Sequence, residues 1–437
     1  MADAEVSRLR VGTGAWLLAS VVPLTVVGAL APAWPGWVTG VIAWTACALF
    51  WCDMPPRQRA IVLALVGVGA AGIVWGTVAG QEGLIARGLA QNIPLTGMLV
   101  AVSFLQLVTT APGAGEEKLE TGKRALASTL AGVHLFGAVI NYSAVAIFAD
   151  RLSARRALSL DQAVGLSQSF IVGALWSPFY GAMAVAITFA PGASLLTLMS
   201  VGIPLTAVGV AITYFTLASE RHGGARDFAG YPVRLEALWV PFVLAVGVLA
   251  IHALQPAWSV LAIIALLAPA VTAVVLVARR GSAAPALMAE VVRTRIPRMG
   301  GEMALFLAAG VLAAGMAGMI GALDLGMPFT RFGGLEAALV CAVIVFAAWA
   351  GLHPVIFVAV IGPWLAPLAP DQNLFAMVFL MAWAVGLPAC PMSNTVLSLS
   401  ARYGIPAGRL LARNRIFSLQ MLALGAAVLV AYARLVT

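Results

Sequence analysis

From about Leu374 to Ser400 the chain is apolar for long enough to cross a bilayer, yet its middle reads Val385-Gly386-Leu387-Pro388-Ala389-Cys390-Pro391-Met392-Ser393-Asn394-Thr395. Pro391 has no N–H and its ring clashes with the preceding turn, so a helix cannot run smoothly through. In lipid an unpaired backbone group is costly. Unwound backbone therefore survives at that depth only where protein or a water-filled cavity satisfies it. A broken span carrying Ser393, Asn394 and Thr395 is a candidate ion or substrate site.

An earlier stretch matches it. Val172-Gly173-Ala174-Leu175-Trp176-Ser177-Pro178 has the same Val-Gly and Pro placement, with Gly173 and Gly386, and Pro178 and Pro391, each 213 residues apart. The same offset carries Pro354 onto Asn141, which lies in another interrupted apolar segment. Two breaks per half at matched spacing suggest an internal duplication, with repeats at 1–218 and 219–437. The loop from Ser219 to Glu236, rich in Gly and Arg, is the expected seam.

Of the 437 residues 62% are hydrophobic and 10% are charged, far below the charge of a soluble domain, and mean hydropathy is +1.00. Apolar segments fall near 14–31, 36–52, 60–79, 94–112, 163–189, 194–217, 237–254, 258–278, 303–321, 374–400 and 417–434, with interrupted ones at 125–149 and 337–366. A cleaved signal peptide is the alternative reading of the first, since Arg8 and Arg10 precede it and Ala31-Pro32-Ala33 follows. Cys47, Cys52, Cys341 and Cys390 sit in or beside apolar segments, without metal-ligand spacing or a disulfide framework.

The net charge of +8 is a matter of topology rather than of nucleic acid. With a cytoplasmic N-terminus, and with 125–149 and 337–366 as re-entrant hairpins, only Arg87, Arg331 and Arg434 of the 25 basic residues lie outside. If 125–149 crossed instead, the loops holding Arg151 to Arg156 and Arg221 to Arg234 would both be external. The expected fold is therefore an all-α polytopic membrane protein of the plasma (inner) membrane. It has about eleven transmembrane helices, an inward-opening hairpin at 125–149 and an outward-opening one at 337–366. The repeats are inverted and the C-terminus is external. Segment 279–302 has room for an amphipathic surface helix.

All 17 Asp and Glu fall in loops or near span ends, Glu302 and Glu336 closest to apolar runs. Neutral oxygens and carbonyls suit Na⁺, and helix N-termini at the breaks favour an anion. The candidate site residues are Asn141, Ser143, Gly173, Ser177, Pro178, His353, Pro354, Gly386, Pro391, Ser393, Asn394 and Thr395, with Na⁺ at Asn141, Gly173, Gly386 and Asn394. Ser167, Gln168 and Ser169 are either part of the site or a polar helix start. His353 binds substrate or is a structural hydrogen-bonder; His134 reads as structural, and His222 and His252 as without a role. Trp176 and Trp383 read as anchors or packing, and Arg331 as a solvated loop residue. No resident cofactor and no catalytic group is expected.

Eleven spans, two oppositely opening hairpins and a broken span after each resemble the ion transporter superfamily, with its divalent anion/sodium symporters and, more distantly, its arsenite and sodium/proton antiporters. The resemblance covers most of the chain from about 60 onward. It implies a scaffold domain, a transport domain of hairpins and broken spans, a homodimer and elevator-type movement. The symporters carry Ser-Asn-Thr at their hairpin tips. Here the tips read Ile140-Asn141-Tyr142-Ser143 and Leu352-His353-Pro354-Val355, and Ser393-Asn394-Thr395 lies in a broken span, so the branch stays open. The expected function is Na⁺-coupled symport of a small anion, with membrane lipid as the other partner. The alternatives are a proton-coupled exporter or antiporter, an intramembrane enzyme, or a permease subunit.

Overall fold

The computed structural model describes residues 2–109, 119–154, 156–219, 226, 228–230, 239–323, 326, 329–368 and 370–436. Lys118, Arg155, Arg221, His222, Arg234 and most of the expected seam lie outside them. In chain order the first helices are α1 (Ala2–Leu30), α2 (Gly36–Leu49), α3 (Pro56–Val78), α4 (Leu84–Ala90), α5 (Ile93–Val102), α6 (Gln106–Thr109), α7 (Lys123–Ile140), α8 (Ser143–Ser153), α9 (Leu160–Ile171) and α10 (Gly181–Phe189). There follow α11 (Leu195–Ala218), α12 (Trp239–Leu254), α13 (Val260–Arg280), α14 (Ala284–Thr294), α15 (Ile296–Leu323), α16 (Gly334–Trp349), α17 (Pro354–Leu365), α18 (Gln372–Gly386), α19 (Asn394–Tyr403) and α20 (Ala407–Val436). Among the described residues the strands are a two-residue antiparallel pair, β1 (Glu120–Thr121) with β2 (Ala229–Gly230).

Among the described residues eight stretches are long and apolar enough to span a bilayer, and α2, α16, the Phe242–Leu254 part of α12 and the run Pro354–Leu368 that contains α17 are shorter apolar helices. Helix keeps every backbone group paired without water. The chain is an all-α polytopic membrane protein. Helix starts follow from local chemistry. Ser159 and Gln162 form a reciprocal capping box at α9, and Asp371 accepts from the Leu374 N–H at 2.8 Å to start α18.

Three expectations change. α15 begins at Ile296, not near 303, so Glu302 lies in its second turn rather than before its start. The apolar run expected at 94–112 extends back to Leu84 and is interrupted at Gln91 and Asn92 and again at Ser103–Leu105. The amphipathic segment expected at 279–302 resolves into α14 followed by the start of α15.

The chain forms two units, each drawing on both halves of the sequence. The first comprises Met1–Val108, Phe242–Pro328 and Val358–Pro367. Its centre is the crossing of α3 and α15. There Gly69, Gly72 and Gly76 face the backbone of Val311, Gly315 and Gly318 so closely that a Cβ at any of them would collide with it. The second unit comprises Thr109–Pro241, Phe329–Phe357 and Leu368–Thr437. In it α7 packs on α8 and α9, α10 on α18, and α16, α18 and α20 on one another. Elements in this unit recur along the chain: α10 begins at Gly181 and α19 at Asn394, 213 residues later.

Candidate functional site

α7 ends where Asn141 takes φ +52°, among the described residues the one non-glycine in the left-handed half of backbone space. Two residues later α8 begins. The chain folds back here: the Phe136 and Phe148 rings lie 6.2 Å apart, where twelve residues of unbroken helix would separate them by about 18 Å. The tip is held by the first broken span. After α9 the chain makes a tight turn, Val172–Leu175, then runs through Trp176 to Tyr180 without helix before α10. The Asn141 Nδ2 donates to the Phe179 carbonyl at 2.8 Å, and the Ser177 hydroxyl donates to the Ala138 carbonyl, left open by the end of α7. Ser177 Oγ in turn accepts from the Phe179 N–H at 3.2 Å. Asn141, Ser177 and Pro178 thus form one joint between hairpin and break. Ser143 stands at the start of α8.

Gly173 has a packing reason to be glycine. A Cβ there would meet the Tyr180 ring and hydroxyl at 2.9–3.1 Å. Its carbonyl accepts from the Ser177 N–H at 2.9 Å and the Trp176 N–H at 3.3 Å. His134 stands beside the same break with both ring nitrogens engaged. Trp176 Nε1 donates to Nε2 at 3.2 Å, so Nδ1 carries the proton and donates to the Ser169 carbonyl at 3.0 Å.

The second tip is built differently. α16 closes on Gly351 (φ +100°), with the Leu352 N–H reaching the Ala347 carbonyl at 3.2 Å and the Gly351 N–H reaching that of Ala348 at 2.9 Å. The His353 Nδ1 then accepts from the Val355 N–H at 3.3 Å, and Pro354 opens α17, where no N–H is needed. The His353 ring stands edge-on to Trp383 of α18, 5.0 Å between centroids. Gly386 lies where α18 crosses α16, and a Cβ there would come within 3.0 Å of the Ala348 Cβ. Past Pro391, Ser393 Oγ caps α19 by accepting from the Val396 N–H at 3.2 Å. Ser393 and Thr395 are buried, and Asn394 is exposed.

The two breaks are joined through residues that sequence reading passed over. Asn414 of α20, fully buried, donates to the Pro388 carbonyl at 2.7 Å and to Ser167 Oγ at 3.2 Å, and accepts from Gln168 Nε2 at 3.2 Å. Gln168 accepts in turn from Thr213 of α11 at 3.1 Å. Two further carbonyls at the breaks receive a hydroxyl from the following span. Thr206 donates to Val172 at 2.8 Å and Ser418 to Val385 at 2.6 Å, and Val172 and Val385 are themselves 213 residues apart. Ser167, Gln168 and Ser169 lie in the last turns of α9, so the helix-start reading is overturned: α9 starts at Ser159. A weak signal existed, since Asn414 and Ser418 fall four apart on one face of α20.

No protein-family model matches the chain, and no curated protein does. Among solved structures, the Alcanivorax borkumensis YdaH transporter is similar over 97% of this chain and 98% of that one, at 15% identity and a TM-score of 0.41. So distant a likeness assigns no family and no residue role.

Proposed function

We propose that this protein is a secondary active transporter, a Na⁺-coupled symporter of a small anion. The observation that carries the reading is the pair of broken spans packed against each other inside one unit. Their freed carbonyls are held by Asn414, Ser418 and Thr206, and each break is followed by the N-terminus of a helix, α10 or α19. Helix N-termini present partial positive charge and N–H groups to an anion. Asn141, Ser143, Ser177, Ser393, Asn394 and Thr395 offer neutral oxygens to a desolvated Na⁺, and in this reading His353, at the second tip, meets the anion. In this proposal the protein is not an enzyme. It works as a homodimer in the inner membrane by elevator-type movement, with the N-terminus cytoplasmic and the C-terminus external.

A proton-coupled exporter or antiporter is the second reading. Glu302 favours it: this carboxyl stands in the second turn of α15, half-buried, with no ion pair or hydrogen bond among the described residues. Proteoliposomes carrying one imposed gradient at a time, screened over small anions, separate the two. Uptake driven by a Na⁺ gradient at equal pH is the expected result. Uptake driven fully by a proton gradient in Na⁺-free buffer, and lost in Glu302→Gln or His353→Gln, overturns it.

A further inference from the structure

The two half-helices that follow the breaks are held in different ways. α10 is buried from Gly181 to Ala186 and packs along α18. α19 buries Thr395, Val396 and Leu399 and leaves Asn394, Leu397, Ala401 and Arg402 exposed. Neither end of α19 continues as helix. Cys390 to Met392 precede its cap and Gly404 to Pro406 follow it, with Gly404 at φ +69°. Ten residues of helix, about 15 Å long, therefore stand between two joints.

What holds the far end of α19 belongs to the other half of the chain. Asp150, near the end of α8, accepts from the Tyr403 hydroxyl at 2.7 Å with one carboxylate oxygen and from Arg402 Nη2 at 2.9 Å with the other. The Tyr403 hydroxyl also lies 3.3 Å from the Ala146 carbonyl, and the Arg402 guanidinium 5.4 Å from the Tyr403 ring centroid. The facing sides stay polar further in. Tyr142, Ala146 and Asp150 recur every four residues along α8, and Thr395, Ser398 and Arg402 fall three and four apart on α19. The Tyr142 hydroxyl stands beside Ser398. This seam runs from the second break, where Thr395 is buried, to the half-exposed carboxylate of Asp150. Its α8 wall is fixed, because Asn141 and Ser177 tie the hairpin tip to the first break. Exposed ion pairs contribute little net stability, so the contact that closes the seam can part and re-form.

We propose that Asp150, Arg402 and Tyr403 form a latch, and that its release swings α19 away from α8 and opens a polar route to Ser393, Asn394 and Thr395. What passes along the route rests on the transport reading; the opening itself does not. The test is the rate at which an impermeant maleimide labels Thr395→Cys in the full-length protein in lipid nanodiscs, with Cys47, Cys52, Cys341 and Cys390 replaced. Thr395 is 6% exposed, so labelling of the latched protein is expected to be slow. Asp150→Ala is expected to speed it about fivefold, the shift that loss of one exposed ion pair produces. Tyr403→Phe, which keeps the ion pair, is expected to speed it less. Exchanging the charges, Asp150→Arg with Arg402→Asp, is expected to restore slow labelling. Asp53→Ala, which breaks the Arg10–Asp53 pair of the first unit, is expected to leave the rate unchanged. An unchanged rate in Asp150→Ala, an equal rise in Asp53→Ala, or no recovery in the exchanged pair would each overturn the latch. Labelling needs no substrate: if the wild type moves no solute in proteoliposomes the transport reading fails, and the latch still stands or falls on these rates.

Discussion

Asn414 and Pro388, 26 residues apart in sequence, meet through a 2.7 Å hydrogen bond from the Asn414 amide to the Pro388 carbonyl, inside the second broken span. The same amide engages Ser167 and Gln168 just before the first break, so one side chain on α20 ties both interruptions together. Asn414→Leu would leave that carbonyl and the Gln168 amide buried without partners. Each lost partner is expected to cost on the order of 1 kcal/mol. The thermal unfolding midpoint in detergent should fall clearly below wild type, and an unchanged midpoint would show that the bonds contribute nothing.

Asn141 should separate backbone strain from chemistry. Its φ of +52° is unfavourable for a side chain, and its amide holds Phe179. Asn141→Gly removes the amide but accepts the backbone. Asn141→Ala loses both advantages and is expected to be less stable than the glycine variant by about 1–3 kcal/mol. Under the transport proposal both variants lose uptake while remaining folded in the membrane. Wild-type uptake by either one removes Asn141 from the site.

The α3–α15 crossing has no room for side chains. Gly72→Leu would press carbon against the Gly315 carbonyl, and a cost of about 1–3 kcal/mol is expected, read as a lowered unfolding midpoint. Gly67, also on α3, faces open space. Gly67→Leu should be neutral or slightly stabilising, because leucine favours helix over glycine. Equal effects at the two positions would contradict the close approach.

Because α7 and α8 fold back on each other, Lys123 and Arg151 belong on one side of the membrane. A single cysteine at Arg156→Cys, with Cys47, Cys52, Cys341 and Cys390 replaced, should resist an impermeant maleimide in intact cells and react after permeabilisation. Strong labelling from outside would place this loop on the external face and contradict the charge-based topology.

The helical membrane class and the positions of the breaks were legible in the chain itself. A proline, a glycine or a polar triplet inside an apolar run has a large local consequence in lipid, where an unpaired backbone group finds no water. That is why Asn141, Pro178, Gly351 to Pro354 and Pro391 all stand at interruptions of helix. What fills those interruptions was decided by the tertiary structure. Thr206, Ser418 and Asn414 reach carbonyls 26 to 34 residues away. Such bonds follow from how spans cross, and no local pattern encodes a crossing. Between Arg413 and Arg415, Asn414 reads as part of a basic loop, yet the packing of α20 buries it completely. Glu302 reads as a span end, because hydropathy marks where apolar residues begin; α15 begins at Ile296, two turns earlier, because helix continues wherever its backbone bonds can be made.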